Sequence, residues 1–388
     1  MDSTFANWLR ELCCRRHFSW KRSTTMKRFE KPILVTRPYL PDLEEFKKGC
    51  EEIWMNQWLT NNGPILQRFQ SSLSKYLGVP ESNIALFNNG TMALELGYYA
   101  MGLAGGDVIT TPFTFVATSH ALKRIGANPV FADIDPETMC LSPEAAEKLI
   151  TPRTKAIVPV HVYGNACDVD GFKRLGEKYG VKIIYDAAHA FGVKPLVDAG
   201  DMSMFSFHPT KLFHSCEGGL LVFKDRDVQT KLHELRNFAI HSETECVDVG
   251  SNAKMNELQA LMGLECLKKI DALLDYRQKI YAVYAEIFDN CSNVELVSCS
   301  RNKAYVPVLF KDFATRECVY EELMKKCNVF SRRYFYPLLT AFAPYVYAKG
   351  TCPVAENIAL RVLTLPTYYG LPLDDVKAIA ENVKEIVK

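Results

Sequence analysis

The sequence predicts an α/β fold with a mostly parallel sheet in a chain of two domains, and two observations support this. From about residue 107 onward, short apolar runs alternate with amphipathic stretches, and strand–helix alternation is typical of a parallel sheet covered by helices. The 388 residues also exceed the length of one typical small domain. We therefore expect one large domain followed by one smaller domain.

The elements of the large domain are predicted from hydrophobic periodicity. Residues 65–104 have the pattern of helices, interrupted at Gly78-Val79-Pro80. The next apolar runs predict six strands, at Val108–Thr111, Pro129–Phe131, Ala156–Val160, Val181–Tyr185, Met202–Phe207 and Gly219–Phe223. Amphipathic stretches between them predict helices at Ala117–Ile125, Pro143–Leu149 and Val169–Tyr179. Because the last two strands are close in sequence, we expect them to pair as a hairpin-like edge.

The remaining sequence has the pattern of a smaller α+β domain. Residues 253–285 predict one long helix or two in series, followed by a strand at Tyr305–Phe310 and helices at 315–327 and about 373–387. We therefore divide the chain into an N-terminal extension (1–30), a large domain (31–270) and a small C-terminal domain (271–388).

The first 25 residues differ in composition from the rest. Five basic residues are interspersed with large apolar ones, and no continuous apolar core of a secretory signal is present. An amphipathic arm that contacts a membrane or an acidic partner is one interpretation. We favour a disordered extension, or a printed start that lies upstream of Met26 as the working initiator methionine. The patterned sequence begins after that residue.

Composition restricts the function classes. A net charge of +1 gives no electrostatic reason to expect nucleic acid, and no run of about 18 apolar residues predicts a membrane span. The thirteen cysteines are scattered without a CxxC pair, so we expect no metal site and free thiols in the reducing cytoplasm.

A lysine and an aspartate lie just after two of the predicted strands. Asp186 ends the run Val181–Asp186, and Lys211 comes after the run that ends at Phe207. Ligands of parallel sheets bind where strands end. A lysine amine can form a Schiff base with pyridoxal 5′-phosphate, and a carboxylate can keep the pyridine nitrogen protonated so that the ring acts as an electron sink. Taken singly, Lys211 could be a surface lysine and Asp186 a helix N-cap.

Two further features suit the same cofactor. Asn89-Gly90-Thr91 precedes a helical pattern, and a helix N-terminus offers free N–H groups to a phosphate. The same three residues also form an ordinary turn and N-cap. Phe115 could stack on a pyridine ring, or it could be a core residue. His189 and Ser206 likewise have ordinary interpretations, as a buried histidine and a strand residue.

Seven motifs in order make the chain resemble the DegT-type sugar-nucleotide aminotransferases, which are fold type I enzymes dependent on pyridoxal phosphate. The match runs from about Val35 to the end, over Asn89–Thr91, Thr111–Phe115, Val158–Gly164, Asp186–Gly192, Ser206–Lys211, Glu217–Gly219 and Gly250–Ala260. The resemblance implies a large mostly parallel sheet domain and a smaller α+β domain. Relatives that carry histidine in place of the lysine are dehydratases, and Lys211 excludes that subgroup.

The resemblance also implies roles for individual residues. Lys211 would bind the cofactor and shuttle the proton, Asp186 would pair with the pyridine nitrogen, and His189 would lie near the phenolic oxygen. The other implied cofactor contacts are phosphate binding by Gly90, Thr91 and Ser206, ring stacking by Phe115, and phosphate binding in the neighbouring subunit by Asn252. The active unit would therefore be a homodimer.

The motifs Trp58–Pro64, Thr36–Pro41 and Gly164–Asp168 resemble enzymes that aminate 4-keto-6-deoxy sugars on a dTDP or UDP carrier. The resemblance implies glutamate as amino donor, with dTDP-4-amino-4,6-dideoxyglucose as the first candidate product. The implied substrate residues are Thr60, His208, Glu217, Arg333, Tyr334 and Tyr336. Arg332 and Arg333 could hold a diphosphate or could be a solvated pair. Amination at C3 and a non-catalytic regulatory role are the alternatives.

Overall fold

The computed structural model describes residues 26–289, 291–298 and 302–388. The prediction for residues 1–25 lies outside the described residues. Residues 26–30, which the sequence pattern assigns to the extension, belong to the fold. The Lys27 N–H donates to Asn382 Oδ1 at 2.9 Å, and the Phe29 N–H donates to the Cys327 carbonyl at 3.0 Å.

The strands and helices alternate along the first two thirds of the chain. The strands are β1 (Ile33–Leu34), β2 (Ile84–Phe87), β3 (Asp107–Thr110), β4 (Asn128–Phe131), β5 (Thr154–Val158), β6 (Lys182–Asp186), β7 (Met202–Ser206), β8 (Gly219–Phe223), β9 (Ile240–Ser242), β10 (Glu245–Cys246), β11 (Val294–Leu296), β12 (Val306–Phe310), β13 (Val329–Phe330) and β14 (Val362–Leu365). The helices are α1 (Leu43–Asn56), α2 (Pro64–Leu77), α3 (Gly90–Ala100), α4 (Val116–Arg124), α5 (Pro143–Glu147), α6 (Val169–Tyr179), α7 (Arg226–Leu235), α8 (Glu257–Leu267), α9 (Ile270–Phe288), α10 (Phe313–Glu322), α11 (Pro353–Arg361) and α12 (Leu373–Val387).

A seven-stranded sheet forms the centre of the large domain. Its strand order is β2-β8-β7-β6-β5-β3-β4. The pairs β4–β3, β3–β5, β5–β6 and β6–β7 are parallel, whereas β8 is antiparallel to both of its neighbours, β7 and β2. The predicted α/β class is therefore confirmed, and only one strand of this sheet runs against the others.

Two details of the predicted sheet were wrong. The strands β7 and β8 pair antiparallel as expected, but β2 covers the other side of β8, so this pair is not an edge. The helical pattern predicted for residues 65–104 also includes β2, which is a strand. All four of its residues are buried, and a short apolar run that is buried on both faces has no alternation to distinguish a strand from a helix.

The interruption predicted after residue 77 is the end of α2. Gly78 adopts a left-handed conformation with φ of 74°, which glycine adopts without the steric cost of a Cβ atom. The stretch 253–285 forms two helices in series, α8 and α9, separated by Lys268 and Lys269.

The C-terminal part contains a second, smaller sheet. The strands β11, β12 and β14 pair antiparallel, and a core that includes Ile280, Val306 and Val376 lies beneath them. A different core joins Phe113 and Phe172 to Tyr345, so part of the C-terminal segment packs against the large sheet. The domain boundary at residue 270 stays a prediction. Within the described ranges, no helix is both long and apolar enough to cross a bilayer.

Candidate functional site

Asp186 is a buried carboxylate at the carboxyl end of β6. Its Oδ2 accepts a hydrogen bond from Thr118 Oγ1 at 2.7 Å, and its Oδ1 accepts one from the Ala188 N–H at 3.1 Å. Burial raises the pKa of Asp186, and the two hydrogen bonds and the positive charge of Lys211 oppose that shift. A desolvated carboxylate of this kind is stabilised by a cationic N–H partner, which is the chemistry of a protonated pyridine nitrogen.

His189 lies three residues further on and is uncharged. Its Nδ1 accepts a hydrogen bond from the Tyr163 N–H at 3.1 Å, so the ring proton resides on Nε2. Burial, followed by the positive charge of Lys211, lowers the pKa of His189 well below the usual histidine value. The His189 Nε2–H group is therefore a neutral donor, 3.5 Å from the Tyr334 hydroxyl.

Lys211 lies after β7 in a turn where its N–H donates to the His208 carbonyl at 2.9 Å. Its Nζ donates to the hydroxyl of Tyr305 at 3.4 Å. The Tyr305 ring that Lys211 contacts lies 4.5 Å from the His189 ring, and the Lys211 charge also acts on the pKa values of Asp186, His189 and His208. These side chains therefore form one cluster. The structure thus brings the three predicted catalytic residues together.

The predicted phosphate site lies where α3 begins. The Asn89 side chain accepts a hydrogen bond from the Met92 N–H at 2.8 Å. A Cβ atom at Gly90 would lie 3.2 Å from Ser206 Cβ, and one at Gly219 would lie 2.6 Å from the Asn89 carbonyl oxygen. The glycines therefore allow close packing of the helix N-terminus, β8 and Ser206, and the free N–H groups of the helix suit a phosphate anion. Thr91 is exposed at the same terminus.

Phe115 is 55% exposed and immediately precedes α4. This exposure argues against the core interpretation. Three residues later, Thr118 holds Asp186. A pyridine ring that pairs with Asp186 could therefore stack on the exposed Phe115 ring. The residues of this cluster fit pyridoxal 5′-phosphate.

The predicted substrate residues are placed unequally around the cluster. His208 and Glu217 face each other, with His208 Nε2 3.6 Å from a Glu217 carboxylate oxygen, and Tyr334 is buried beside His189. Thr60 is exposed in the loop between α1 and α2. Asn252 is also exposed, and its carbonyl accepts from the Asn88 side chain at 3.3 Å.

The two neighbouring arginines point to different partners. Arg333 Nη1 pairs with Glu317 at 2.9 Å, and its guanidinium lies 4.3 Å from the centre of the Tyr320 ring. Arg332 is exposed, its guanidinium is 5.5 Å from the Tyr334 ring centre, and its charge helps lower the pKa of His208. Tyr336 packs against Phe313 with ring centres 5.9 Å apart. Arg332 therefore faces the lysine cluster more directly than Arg333.

Sequence reasoning missed residues that reach the cluster from elsewhere. Tyr305 contacts Lys211 and places its ring 4.5 Å from that of His189. Asn302 donates to the carbonyls of His189 and Phe191 at 2.8 and 3.0 Å. The only sequence signal for Tyr305 was its place at the start of a predicted strand. Among residues 26–289, 291–298 and 302–388, no group of His, Cys, Asp and Glu side chains could hold a metal ion.

Known proteins resemble this chain over most of its length. The DegT/DnrJ/EryC1/StrS aminotransferase family matches residues 42–384. The dTDP-4-amino-4,6-dideoxy-D-glucose transaminase of Shigella dysenteriae is 42% identical over 368 residues, which cover 92% of this chain and 100% of that protein. The crystal structure of DesI in the presence of its TDP-sugar product has a TM-score of 0.86 at 34% identity and covers 92% of this chain and 94% of that one. NtdA from Bacillus subtilis with bound cofactor PMP has a TM-score of 0.83 at 27% identity, over 89% of this chain and 82% of that one.

Proposed function

The chain belongs to the DegT/DnrJ/EryC1/StrS aminotransferase family, and we propose that it moves an amino group from L-glutamate to C4 of a nucleotide-linked 4-keto-6-deoxy sugar. The observation that carries the proposal is the 42% identity to a dTDP-4-amino-4,6-dideoxy-D-glucose transaminase over that protein's whole length. We accordingly propose dTDP-4-amino-4,6-dideoxyglucose as the product, pyridoxal 5′-phosphate as the cofactor and the cytoplasm as the location.

The cluster contains the groups that this reaction needs. Pyridoxal 5′-phosphate supplies a carbonyl that takes up the amino group and a ring that accepts electrons. Asp186, oriented by Thr118 and the Ala188 N–H, would hold the proton on the pyridine nitrogen. The neutral Nε2–H of His189 would donate to the phenolic oxygen. Gly90, Thr91 and Ser206 would bind the phosphate.

Lys211 would move the proton in both half-reactions. Its Nζ would accept the proton from Cα of glutamate and later deliver a proton to C4 of the sugar. Because the amino group is stored between the two half-reactions, we expect ping-pong kinetics. Tyr305 would orient the Lys211 Nζ atom by a hydrogen bond while the amine is not bonded to the cofactor. Asn252 would complete the phosphate site of a second subunit.

The test is an assay of purified protein with cofactor, L-glutamate and dTDP-4-keto-6-deoxyglucose, with the product identified by mass spectrometry and NMR. We expect a 4-amino product, and no turnover by Lys211→Ala. The UDP-linked sugar and a 3-keto sugar nucleotide serve as parallel substrates. An active Lys211→Ala protein would contradict the catalytic role, and amination of the 3-keto sugar alone would contradict the proposed position. Cofactor binding without turnover of any sugar would indicate a regulatory protein.

A further inference from the structure

A narrow recess adjoins the lysine cluster on the side of the three-stranded sheet. Its volume of about 10 Å³ is the space of roughly one water-sized group. Its lining, as far as the chain is described, contains one permanent cation and no carboxylate. The polar lining residues are Thr36, Thr210, Tyr305, Arg332, Thr364 and Thr367. The recess therefore has the room and the charge for one negatively charged oxygen atom, beside the tyrosine that contacts Lys211.

Two hydroxyl groups of the recess lack a partner in the described part of the chain. Thr367 is only 3% exposed, and its Oγ1 atom forms no hydrogen bond to any described residue. The Oγ1 atom of Thr36 is likewise buried without a hydrogen bond to these residues. Buried hydroxyls normally have a partner, and an unpaired one indicates a bound water or ligand. The two threonines therefore suit an oxygen acceptor that enters the recess.

Arg332 has a fixed backbone and a guanidinium that is open to a ligand. Its N–H donates to the Thr364 carbonyl at 3.1 Å, and its own carbonyl accepts from the Thr364 N–H at 2.8 Å and from the Thr364 hydroxyl at 3.1 Å. No carboxylate of the described residues forms an ion pair with Arg332, whereas Glu317 pairs with Arg333. A guanidinium binds a carboxylate through two parallel N–H groups, so Arg332 can hold an anion that this chain does not supply.

The charge of Arg332 acts on the surroundings of Lys211. Burial lowers the pKa of His208, Glu217 opposes this shift, and the charges of Lys211 and Arg332 lower the pKa further. The Arg332 guanidinium is also 5.5 Å from the centre of the Tyr334 ring, which is buried in the lysine cluster. An anion bound by Arg332 would therefore lie near the atoms that react at the lysine.

The two substrates of the proposed reaction present different groups to the lysine. The sugar presents a neutral carbonyl at C4, and the hexose ring separates that carbon from the diphosphate. The amino donor presents Cα, which has a carboxylate directly bonded to it. A site with one cation, two unpaired hydroxyls and room for one oxygen atom fits this carboxylate better than it fits a neutral sugar or a whole diphosphate.

We propose that Arg332, together with the hydroxyls of Thr36 and Thr367, binds the α-carboxylate of the amino donor. One carboxylate oxygen enters the recess and accepts hydrogen bonds from the threonines, and the other accepts from the guanidinium. The buried Arg277 supports the recess from behind, because it donates to the carbonyls of Ala304 and Thr367 at 2.9 and 3.2 Å. This inference rests on the proposed aminotransfer and assigns a residue to its donor half-reaction.

The experiment follows the donor half-reaction alone, by the visible absorbance of the cofactor after rapid mixing with L-glutamate. The reaction converts pyridoxal phosphate and glutamate into pyridoxamine phosphate and 2-oxoglutarate, so no sugar is needed. We expect Arg332→Gln to lower the apparent second-order rate constant for glutamate about 10- to 100-fold, because a charge-assisted hydrogen bond is lost. Thr367→Val should lower it less. The matched control is Arg226→Gln, at an exposed position of α7, which should react as the wild type does.

Two further measurements separate a donor site from other roles of Arg332. Calorimetry with 2-methylglutamate, which has no hydrogen on Cα to lose, reports binding without reaction. Its affinity should fall about 10- to 100-fold in Arg332→Gln, as the rate constant does. Protein loaded with pyridoxamine phosphate is also mixed with dTDP-4-keto-6-deoxyglucose. This sugar half-reaction should change little in Arg332→Gln.

The outcomes distinguish this proposal from the proposed function. Unchanged glutamate kinetics and 2-methylglutamate affinity in Arg332→Gln, or a loss confined to the sugar half-reaction, overturn the donor site and leave the proposed function intact. Absence of both glutamate turnover and 2-methylglutamate binding in the wild type also overturns it. Binding of the donor that depends on Arg332, in a protein that aminates no sugar nucleotide, supports the donor site and contradicts the proposed function alone.

Discussion

At the scale of single residues, Lys211 and Tyr305 meet although 94 positions separate them in the chain. The residue before Tyr305 is held by two hydrogen bonds. Arg277, which is buried, donates to the Ala304 carbonyl at 2.9 Å, and the Ala304 N–H donates to the Asn302 side chain at 3.1 Å. Asn302 in turn binds the backbone that carries His189. These bonds anchor the backbone next to Tyr305, whose hydroxyl accepts from the Lys211 amine.

The Tyr305→Phe variant should lower kcat about five- to tenfold, because a hydrogen bond of roughly 1 kcal/mol that orients the Lys211 amine is lost. Cofactor affinity and the KM for each substrate should change little, since Tyr305 acts through Lys211. Steady-state kinetics and a cofactor titration measure these effects. Tyr276→Phe, which removes a hydroxyl bound to the Leu371 carbonyl, is the control. An unchanged kcat in Tyr305→Phe would show that the contact has no role in positioning.

At the scale of elements, the start of α2 depends on a residue of α8. Gly63 has no side chain to cap α2. The buried carboxylate of Glu257 instead accepts hydrogen bonds from the N–H groups of Ile65 and Leu66, at 2.8 and 3.0 Å. A negative charge at a helix N-terminus is favourable, so Glu257 joins the two helices by capping one of them.

The Glu257→Gln variant should reduce the free energy of unfolding by about 1–3 kcal/mol, because the amide places an N–H₂ group against one of the two backbone donors. Urea denaturation monitored by circular dichroism measures this change. Glu286→Gln, at an exposed position of α9, is the matched control and should leave stability within about 0.5 kcal/mol of the wild type. Equal stability of the Glu257→Gln protein would mean that the cap contributes nothing.

At the scale of the whole molecule, a buried histidine couples stability to pH. His161 stacks on Tyr185 with ring centres 4.6 Å apart, and burial lowers its pKa to about 3. In the unfolded chain the value is about 6.5. Between these two values the unfolded chain binds a proton that the folded protein does not bind. The contribution of uncharged His161 to the free energy of unfolding is therefore fully present above about pH 6.5, and it is lost as the pH falls towards 3.

The wild type should accordingly lose about 1 kcal/mol more stability per pH unit between pH 6 and 4.5 than His161→Asn, which keeps an acceptor for the Cys167 N–H. Urea denaturation at several pH values gives the two slopes. His241→Asn is the control, since Glu234 raises the pKa of this exposed histidine and its contribution has the opposite sign. Parallel slopes for the wild type and His161→Asn would contradict the prediction.

The proposed homodimer leads to a test by complementation. Large apolar side chains are exposed at Trp54, Met55, Trp58 and Leu59 and again at Val249, and such groups are common at interfaces between subunits. If Asn252 serves the neighbouring site, a mixture of inactive Lys211→Ala and Asn252→Ala subunits should regain activity. Half of the randomly formed dimers would have one intact site, so about a quarter of wild-type activity is expected.

Dissociation and remixing of the two variants, with the aminotransfer assay as readout, measures this recovery. A chromatographic mass close to twice the 43.9 kDa of the chain should accompany it. Remixed Lys211→Ala alone is the control. A dimer that shows no recovery would indicate that each site is built from one chain, and a monomer would contradict the proposed assembly.

The sequence by itself determined the α/β class, most of the strands and the order of the chemical motifs. These features depend on local periodicity and on the residues just beyond each strand end, such as Asp186 at the end of β6 and Lys211 after β7.

The tertiary structure decided which residues meet across long separations. Tyr305, Thr118 and Asn302 reach the site from other elements, and β2 places β8 inside the sheet. The neighbours Arg332 and Arg333 differ because Glu317, on α10, pairs with only one of them. Such choices depend on packing between distant segments, which local patterns do not encode.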